Sequence, residues 1–437
     1  MKKIAYLECY GITRAMNKKM LSPLSVTVVS LLLSLSVGFG VTQTQAKPRG
    51  VFKLTVAQQS EKLTLPVISN ELKIRQKWAV RVGEGVGQFE SQIAPVITEQ
   101  HVFISDTTGS VSAFQRDSGE LVWRSELEVI VQGGVYAGYG VLLVGTREGE
   151  AIAIDSKTGK ILWRQALSSE VLATPQSNGD IVVVQTSDGK LFGLDKKTGE
   201  RRWVYDTSIP LLTLRGTSTP YILDDVVVAG FANGKVAVVQ LNSGLPLWER
   251  PISLPTGRSE LERIVDIDGD FIVQGGLIYV SSYQGKIAAL ELTSGRTVWQ
   301  QDNSSSLSLA EGLGNIYVTE ANSQIKAVDQ KTGGTVWLQE SLVNRKLTGP
   351  TRLGNYLVVG DLEGFVHWIS QIDGRIVARE RVTSLVPRDN PVVKQKARYH
   401  NTVREVGEGL RTQLIEKDRV LYVLNNSGTL AALEIVE

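Results

Sequence analysis

The residues that could carry chemistry in this chain are few and far apart. The run DIDGD (266–270) has the alternating carboxylates of a calcium loop, but such a loop needs glycine at its sixth position and glutamate at its twelfth, where Phe271 and Leu277 stand. No metal is expected there. The three histidines, His101, His367 and His400, lie far apart in sequence, so neither a zinc-ligand spacing nor a nucleophile and its base can be drawn. GEGVG (83–87) lacks the strand, lysine and helix of a phosphate cradle and reads as a flexible connection. No catalytic residue and no cofactor are expected.

What remains is the chemistry of contact. IPLLTLRGTSTP (209–220) places Leu211, Leu212 and Leu214 and then Arg215 where a surface connection should be polar. An apolar run in such a place needs either a core to enter or a partner to meet. A second unusual stretch, PISLPTGRSELERIVDIDGDF (251–271), carries Asp266 and Asp268.

The elements that must position these residues are repeats. GSVSAFQRDSGELVW (109–123), GEAIAIDSKTGKILW (149–163), GKLFGLDKKTGERRW (189–203), GKVAVVQLNSGLPLW (234–248) and GKIAALELTSGRTVW (285–299) are copies of one unit. SQIKAVDQKTGGTVW (323–337), GFVHWISQIDGRIVA (364–378) and GTLAALE (428–434) are weaker copies. Each reads as a turn glycine, an alternating strand, a tight turn and a short strand ending in Trp, with a further β-branched run upstream. Eight such units at periods of about 40 to 50 residues predict an all-β fold, an eight-bladed β-propeller of four-stranded antiparallel blades. IRQKWAV (74–80) supplies a lone fourth strand with Trp78 in the Trp slot, and the last copy stops after its third strand. The N-terminal strand is therefore expected to complete the C-terminal blade, removing both sheet edges. Asp155, Asp195 and Asp329 each open a D-x-K-T-G turn and are expected to cap backbone amides rather than act as acids.

Function should lie where the repeats differ. Pro95 to Gly109, Pro175 to Gly189, Pro220 to Gly234 and Pro350 to Gly364 are all 14 residues apart, so the strand pair inside a blade is constant. The interval from the Trp slot to the Pro slot is not: it is 12 from Trp163 to Pro175, 17 from Trp203 to Pro220, 23 from Trp248 to Phe271 and 36 from Ala378 to Leu414. The excess falls in the connections from an outer strand to the next inner strand, and one-sided insertions of this kind usually mark a binding face. Counting back five from Pro220 and from Phe271 gives Arg215 and Asp266, equivalent slots on adjacent blades. Leu212, Leu214, Arg215, Asp266 and Asp268 are therefore expected to form one patch, apolar with charges of both signs, suited to docking a protein. The competing expectation is that the leucines begin an inner strand and pack in the core.

The third insertion, 384–413, carries Arg388, Lys394, Lys396, Arg398, Arg404 and Arg411 and is expected to be a solvated basic loop. Formal net charge is +2 over 437 residues, and residues 1–46 hold five Lys/Arg against one acidic residue, which leaves the remainder at −2. Nothing in that balance suggests nucleic acid as a partner. Lys18 and Lys19 precede the uncharged run SVTVVSLLLSLSVGFGV (25–41) and the small-residue stretch ending at Ala46, so 1–46 reads as a signal peptide, with Met16 as a second candidate start and an uncleaved anchor as the alternative. Residues 47–73 are then a linker and 74–437 the propeller. Cys9 is the only cysteine; a mature exported chain has no disulfide and no cysteine after the apolar run to bear a lipid.

The stretches LTLRGTSTP and ERIVDIDGD, the run from GKIAALELTSGRTVW through GGTVWLQESLVNRKLTGP, and NYLVVGDLEGFVHWISQIDGR resemble the BamB family, the propeller subunit of the bacterial outer-membrane β-barrel assembly machinery. The likeness spans about residues 74–437. The repeat alone is shared with quinone-dependent alcohol dehydrogenases; the two insertion motifs favour BamB. The resemblance implies a non-enzymatic periplasmic scaffold, peripheral to the outer membrane, that docks on the periplasmic domains of the barrel-inserting subunit BamA and supports delivery of unfolded outer-membrane proteins. Its contact surface includes the leucines and arginine of LxLRG and the aspartates of D-x-D, matching Leu212, Leu214, Arg215, Asp266 and Asp268 here. Enterobacterial relatives resemble lipoproteins with a cysteine after the signal segment, from which this sequence departs. Two alternatives stand beside this reading. A quinone-dependent dehydrogenase of the same fold is similar in its repeats but brings calcium ligands and often a vicinal disulfide. A generic periplasmic ligand-binding or sensor propeller predicts no association with BamA.

Overall fold

A computed structural model of the chain describes residues 64–86, 93–214, 216–382, 385 and 408–436. They form eight four-stranded antiparallel sheets, the blades of a β-propeller. Blade 1 runs Val96–Ile97, His101–Ser105, Ser110–Gln115, Leu121–Glu126, each strand pairing with the next in sequence, and blades 2 to 7 repeat this order. Blade 8 takes Ile415–Lys417, Val420–Leu424 and Thr429–Val436 from the C-terminus and its outer strand, Lys73–Arg81, from the N-terminal side, in register from Lys73 opposite Val436 to Arg81 opposite Thr429. The expected closure is thus present. Among the described residues no helix is long and apolar enough to cross a membrane. The apolar run 25–41 and the rest of the proposed signal peptide lie outside the described residues.

The β-branched middle strands have almost no exposed side chains because each blade packs on both faces. The core is accordingly a set of layers between neighbouring blades, such as Phe103, Val111 and Ala113 of blade 1 against Leu142, Val144 and Ile152 of blade 2. One joint recurs at the circumference. The indole of each slot tryptophan donates to a backbone carbonyl in the outer turn of the next blade: Trp78 to Arg116 (2.9 Å), Trp163 to Lys196 (2.8 Å), Trp203 to Leu241 (2.8 Å), Trp248 to Leu292 (2.8 Å) and Trp299 to Gln330 (3.0 Å). The ring lies on that turn's glycine. At Gly199, where φ is +76°, a β-carbon would fall 2.7 Å from the Trp163 ring. Glycine is required there twice over, by backbone conformation and by the ring.

The residue paired with each slot tryptophan is smaller: Ala113 with Trp123, Ala153 with Trp163, Gly193 with Trp203 and Ala432 with Trp78. Blade 7 reverses this. Ala378 holds the slot and Trp368 stands opposite it, buried in the layer between blades 7 and 8. The reversal has a geometric reason. Blade 8 has no outer turn to receive an indole, because its third and fourth strands come from opposite ends of the chain, so the large ring moves to the inner partner and fills the layer there.

From Thr64 onward, the stretch read as a linker runs against the outer strand of blade 7, Ile376–Arg381. Glu71 N–H donates to the Val377 carbonyl (2.8 Å), and the Asn70 side chain pairs with both backbone groups of Arg379 (3.0 and 3.1 Å). Removing the buried ring and its joint with Trp163→Ala should cost about 3–5 kcal/mol of unfolding free energy. Trp163→Phe, which keeps a ring but loses the donor, should cost about 1 kcal/mol. Urea unfolding followed by intrinsic fluorescence distinguishes the two.

Candidate docking site

The two long connections that sequence spacing singled out lie in adjacent blades and are fastened to each other. The first, 207–220, leaves the outer strand of blade 3 (Arg201–Asp206) and ends on blade 4, where the Ser218 hydroxyl accepts from Gly230 N–H (2.9 Å). The second, 252–271, enters blade 5. Its stretch Ile264–Asp268 threads inward because Ile264, Val265 and Ile267 are apolar and buried, Ile267 in the layer between blades 4 and 5 and Val265 against Gly234 of blade 4. Ile267 N–H donates to the Phe231 carbonyl (3.3 Å), and the Asp266 carbonyl accepts from Tyr283 N–H (2.9 Å). This path carries both aspartates out of solvent: Asp266 is 0% exposed and Asp268 6%.

From there the carboxylates hold the first connection. Asp266 Oδ2 accepts from Leu214 N–H at 2.6 Å. The Asp268 carboxylate lies against Gly216, where a β-carbon would be 2.3 Å from its Cγ, so the glycine of the LxLRG motif is needed for the approach. Upstream of this clamp the chain turns outward. Leu211 is fully exposed, Leu212 is 39% exposed and Leu214 is half-buried at the rim. The structure therefore brings Leu212, Leu214, Asp266 and Asp268 together and divides their labour: the aspartates face inward and hold, while Leu211 and Leu212 face outward. Arg215 lies outside the described residues.

Two further exposed leucines lie in the second connection. These are Leu254 and Leu261, and Leu261 begins a 3-10 turn, Leu261–Arg263, whose approach is capped by Glu262 accepting from the amides of Arg258 (2.7 Å) and Ser259 (3.1 Å). Sequence reasoning passed over them because it counted from the strand end of the insertion, where the aspartates are. The signal lay in the excess length itself, SLPTGRSELER, whose two leucines have no strand to join.

The other candidates resolve into structural roles. The three carboxylates of DIDGD diverge: Asp266 goes to Leu214 N–H, Asp268 lies against Gly216, and Asp270 accepts from the Ser308 hydroxyl (3.1 Å). Asp155 and Asp195 accept from the amides of Thr158 (2.8 Å) and Thr198 (3.0 Å), capping their turns as expected. His101 opens a blade 1 strand beside Phe103. His367 is buried, with Nε2 3.0 Å from Asp361 and Nδ1 accepting from Arg379 Nε at 3.2 Å; burial holds its pKa down, so it is the neutral link between an acid and a guanidinium. That chain extends through Asp361 to Arg345 (2.8 Å) and through Arg379 to the Pro66 carbonyl (3.0 Å), tethering residues 64–72. His400 and the basic residues of 384–413 other than Arg411 lie outside the described residues. Of GEGVG, read as a flexible connection, residues 83–86 are described and are instead held: Glu84 N–H donates to Asp106 (3.0 Å), and Gly85 packs on the turn at Asn426–Gly428 with no room for a side chain; Gly87 lies outside the described residues.

A family model described as Outer membrane protein assembly factor BamB matches residues 107–339. The curated Outer membrane protein assembly factor BamB of Pseudomonas aeruginosa is 49% identical over 323 residues, which cover 74% of this chain and 85% of that protein. The crystal structure of BamB from Moraxella catarrhalis superposes with a TM-score of 0.72 at 27% identity, covering 83% of this chain and all of that one. The quinohaemoprotein alcohol dehydrogenase from Comamonas testosteroni shares the fold alone, with a TM-score of 0.62 at 13% identity over 84% of this chain and 77% of that one.

Buried Asp266 has a measurable consequence. Loss of hydration raises its pKa from the usual carboxylate range to about 6, against the pull of the Leu214 amide and its own. The folded protein thus binds this proton more tightly than the unfolded chain, so the contribution is fully present below about pH 4 and is lost as pH rises through 6. Ionised, Asp266 costs about 3 kcal/mol relative to its protonated form. Asp266→Asn keeps an acceptor for Leu214 and removes the ionisation. Its stability relative to wild type should therefore climb between pH 4 and pH 7, as read from urea unfolding at each pH; a pH-independent difference would contradict the assignment.

Proposed function

The chain belongs to the family of Outer membrane protein assembly factor BamB, and from that premise we propose that it serves outer-membrane protein assembly as a non-enzymatic scaffold, docking on the periplasmic domains of BamA through the face that carries residues 209–216 and 252–268. The reading places it in the periplasm, at the inner face of the outer membrane, within the β-barrel assembly complex, where it supports insertion of outer-membrane proteins.

One observation carries the docking surface. Leu211 and Leu212 project from a connection whose next turn is fixed by a buried carboxylate of the neighbouring blade. An exposed apolar side chain on a mobile loop loses conformational entropy when a partner orders it, and a clamped one has already lost most of it. A pair of leucines held out from a rigid rim, with Leu254 and Leu261 on the adjoining connection, is the anchor type that protein interfaces use at their centres. The repeated blades supply the stiffness and the insertions supply the contact. The likeness to a quinohaemoprotein dehydrogenase extends to the fold and adds no observation that favours redox chemistry.

The test is direct. Leu212→Glu places a charge in the middle of the proposed contact while leaving the core untouched, since the side chain points outward. Binding to purified BamA periplasmic domains, measured by biolayer interferometry, should weaken at least tenfold with an unchanged circular dichroism spectrum. Undiminished binding by the folded variant would remove this surface from the interface.

A further inference from the structure

The hairpins that join the first two strands of the blades open on the face opposite the long connections, and most follow one rule. In blades 4, 5, 7 and 8 the two-residue turn begins with Asp224, Gly275, Gly354 and Asp418, each at positive φ, a conformation that glycine and short polar residues enter at least cost. Blades 2 and 6 break it. Tyr139 and Leu313 hold the same place at φ +50°, and they are 61% and 63% exposed. A bulky side chain in this conformation is strained, and an exposed one recovers little through burial, so each position asks for a reason outside folding.

Of the two, Tyr139 has a prepared setting. Its ring rests on Gly179 in the first hairpin of blade 3, where a β-carbon would fall 2.8 Å from it; a β-carbon on Gly354, in the hairpin after Leu313, would meet no atom within 4 Å. Lys196, from the outer turn of blade 3, donates from Nζ to the Tyr139 carbonyl (2.7 Å) and stands 5.9 Å from the ring centre. That lysine is itself fixed, since its N–H meets the Asp180 carbonyl (3.0 Å) and its carbonyl accepts from the Trp163 indole (2.8 Å). Asn178 spends its side-chain oxygen on the amides of Asp180 (3.0 Å) and Ile181 (2.8 Å), which leaves its Nδ2 with no partner among the described residues. Arg202 completes the group, held between Asp180 (2.7 Å) and Asp195 (2.6 Å).

These groups select among ligands. The Lys196 ammonium beside the ring disfavours a second cation, and Asp180 and Asp195 disfavour an anion. The turn also has no free carbonyl edge for a peptide strand, because Lys196 takes the Tyr139 carbonyl and Ser156 N–H takes that of Gly140 (3.1 Å). What remains is a neutral ligand with a flat apolar face and a polar rim. A pyranose ring has both, with C–H bonds on its face and hydroxyls that donate and accept around it.

From these observations we propose that Tyr139, Asn178, Gly179 and Lys196 form a glycan site, in which one ring of a neutral polysaccharide stacks on Tyr139 while Lys196 and Asn178 donate to its oxygens. The strain at Tyr139 and its seat on Gly179 hold the ring in place before the sugar arrives, so little ordering is left to binding. The site uses none of the residues in the docking contact proposed above.

The probe is chitohexaose, a neutral hexamer of N-acetylglucosamine, titrated against the full chain and read by saturation-transfer difference NMR. Saturable binding is expected, with the strongest transfer to the C–H protons of the sugar ring. Tyr139→Asn installs a residue that such turns favour; it should weaken binding at least tenfold without lowering the thermal midpoint. Tyr139→Trp should retain binding, and Leu313→Asn, in the matching turn of blade 6, should bind as wild type does. No binding by wild type, equal binding by Tyr139→Asn, or equal loss in Leu313→Asn would overturn the site. So would a Tyr139→Asn variant that melts well below wild type, because the tyrosine would then serve only as a joint between blades 2 and 3.

Discussion

The indole over the next blade's turn glycine is the contact on which the architecture depends. A blade by itself is a small twisted sheet with two apolar faces and an open edge, and it becomes stable only between two neighbours. Interior side chains provide most of the buried area but say little about how far one blade is rotated from the next. The tryptophan does, because its ring must rest on a glycine with positive φ while its N–H meets a particular carbonyl, as Trp163 does with Gly199 and Lys196. Repetition of one joint angle is what allows the ring to close on the eighth blade, where Lys73–Arg81 pairs with Thr429–Val436.

That regular frame makes the irregular parts informative. Connections from one outer strand to the next inner strand can lengthen without disturbing a joint, and two adjacent ones have done so. Each alone would be an exposed loop. Together they are fixed, because Asp266 and Asp268 are carried inward by Ile264, Val265 and Ile267 and meet Leu214 and Gly216 from below. Burying carboxylates is unfavourable in itself. Here the unfavourable term is coupled to a rigid presentation of leucines, a disposition that a folding optimum would not choose and a binding surface would.

The blades and their closure were legible in the sequence because the Trp and glycine slots repeat with the period of the fold and the leftover strand at 74–80 matched the missing one. The pairing of the two insertions was legible, since equal offsets from Pro220 and Phe271 put Arg215, next to Leu214 in sequence, and Asp266 in equivalent slots of adjacent blades. The direction of their side chains was not. Aspartates in a surface insertion read as surface charges until the apolar residues between them are seen to enter a core, and only the missing side chain of Gly216 hinted at a close neighbour. The exchange of Trp368 and Ala378 was likewise invisible as a rule. It looked like a decayed repeat, and its cause, the absence of an outer turn in blade 8, exists only once the ring is closed. Residues 64–72 read as a linker because their partners, Val377 and Arg379, are some three hundred positions away.

The central claim is that two clamped insertions form one surface for BamA. Hydrogen exchange of the full chain, with and without BamA periplasmic domains, addresses it without any substitution. The account predicts slowed exchange in peptides covering both 209–216 and 252–264, and no change in the outer turns on the opposite face. Protection that appears elsewhere while these two connections exchange as in the free protein would contradict it.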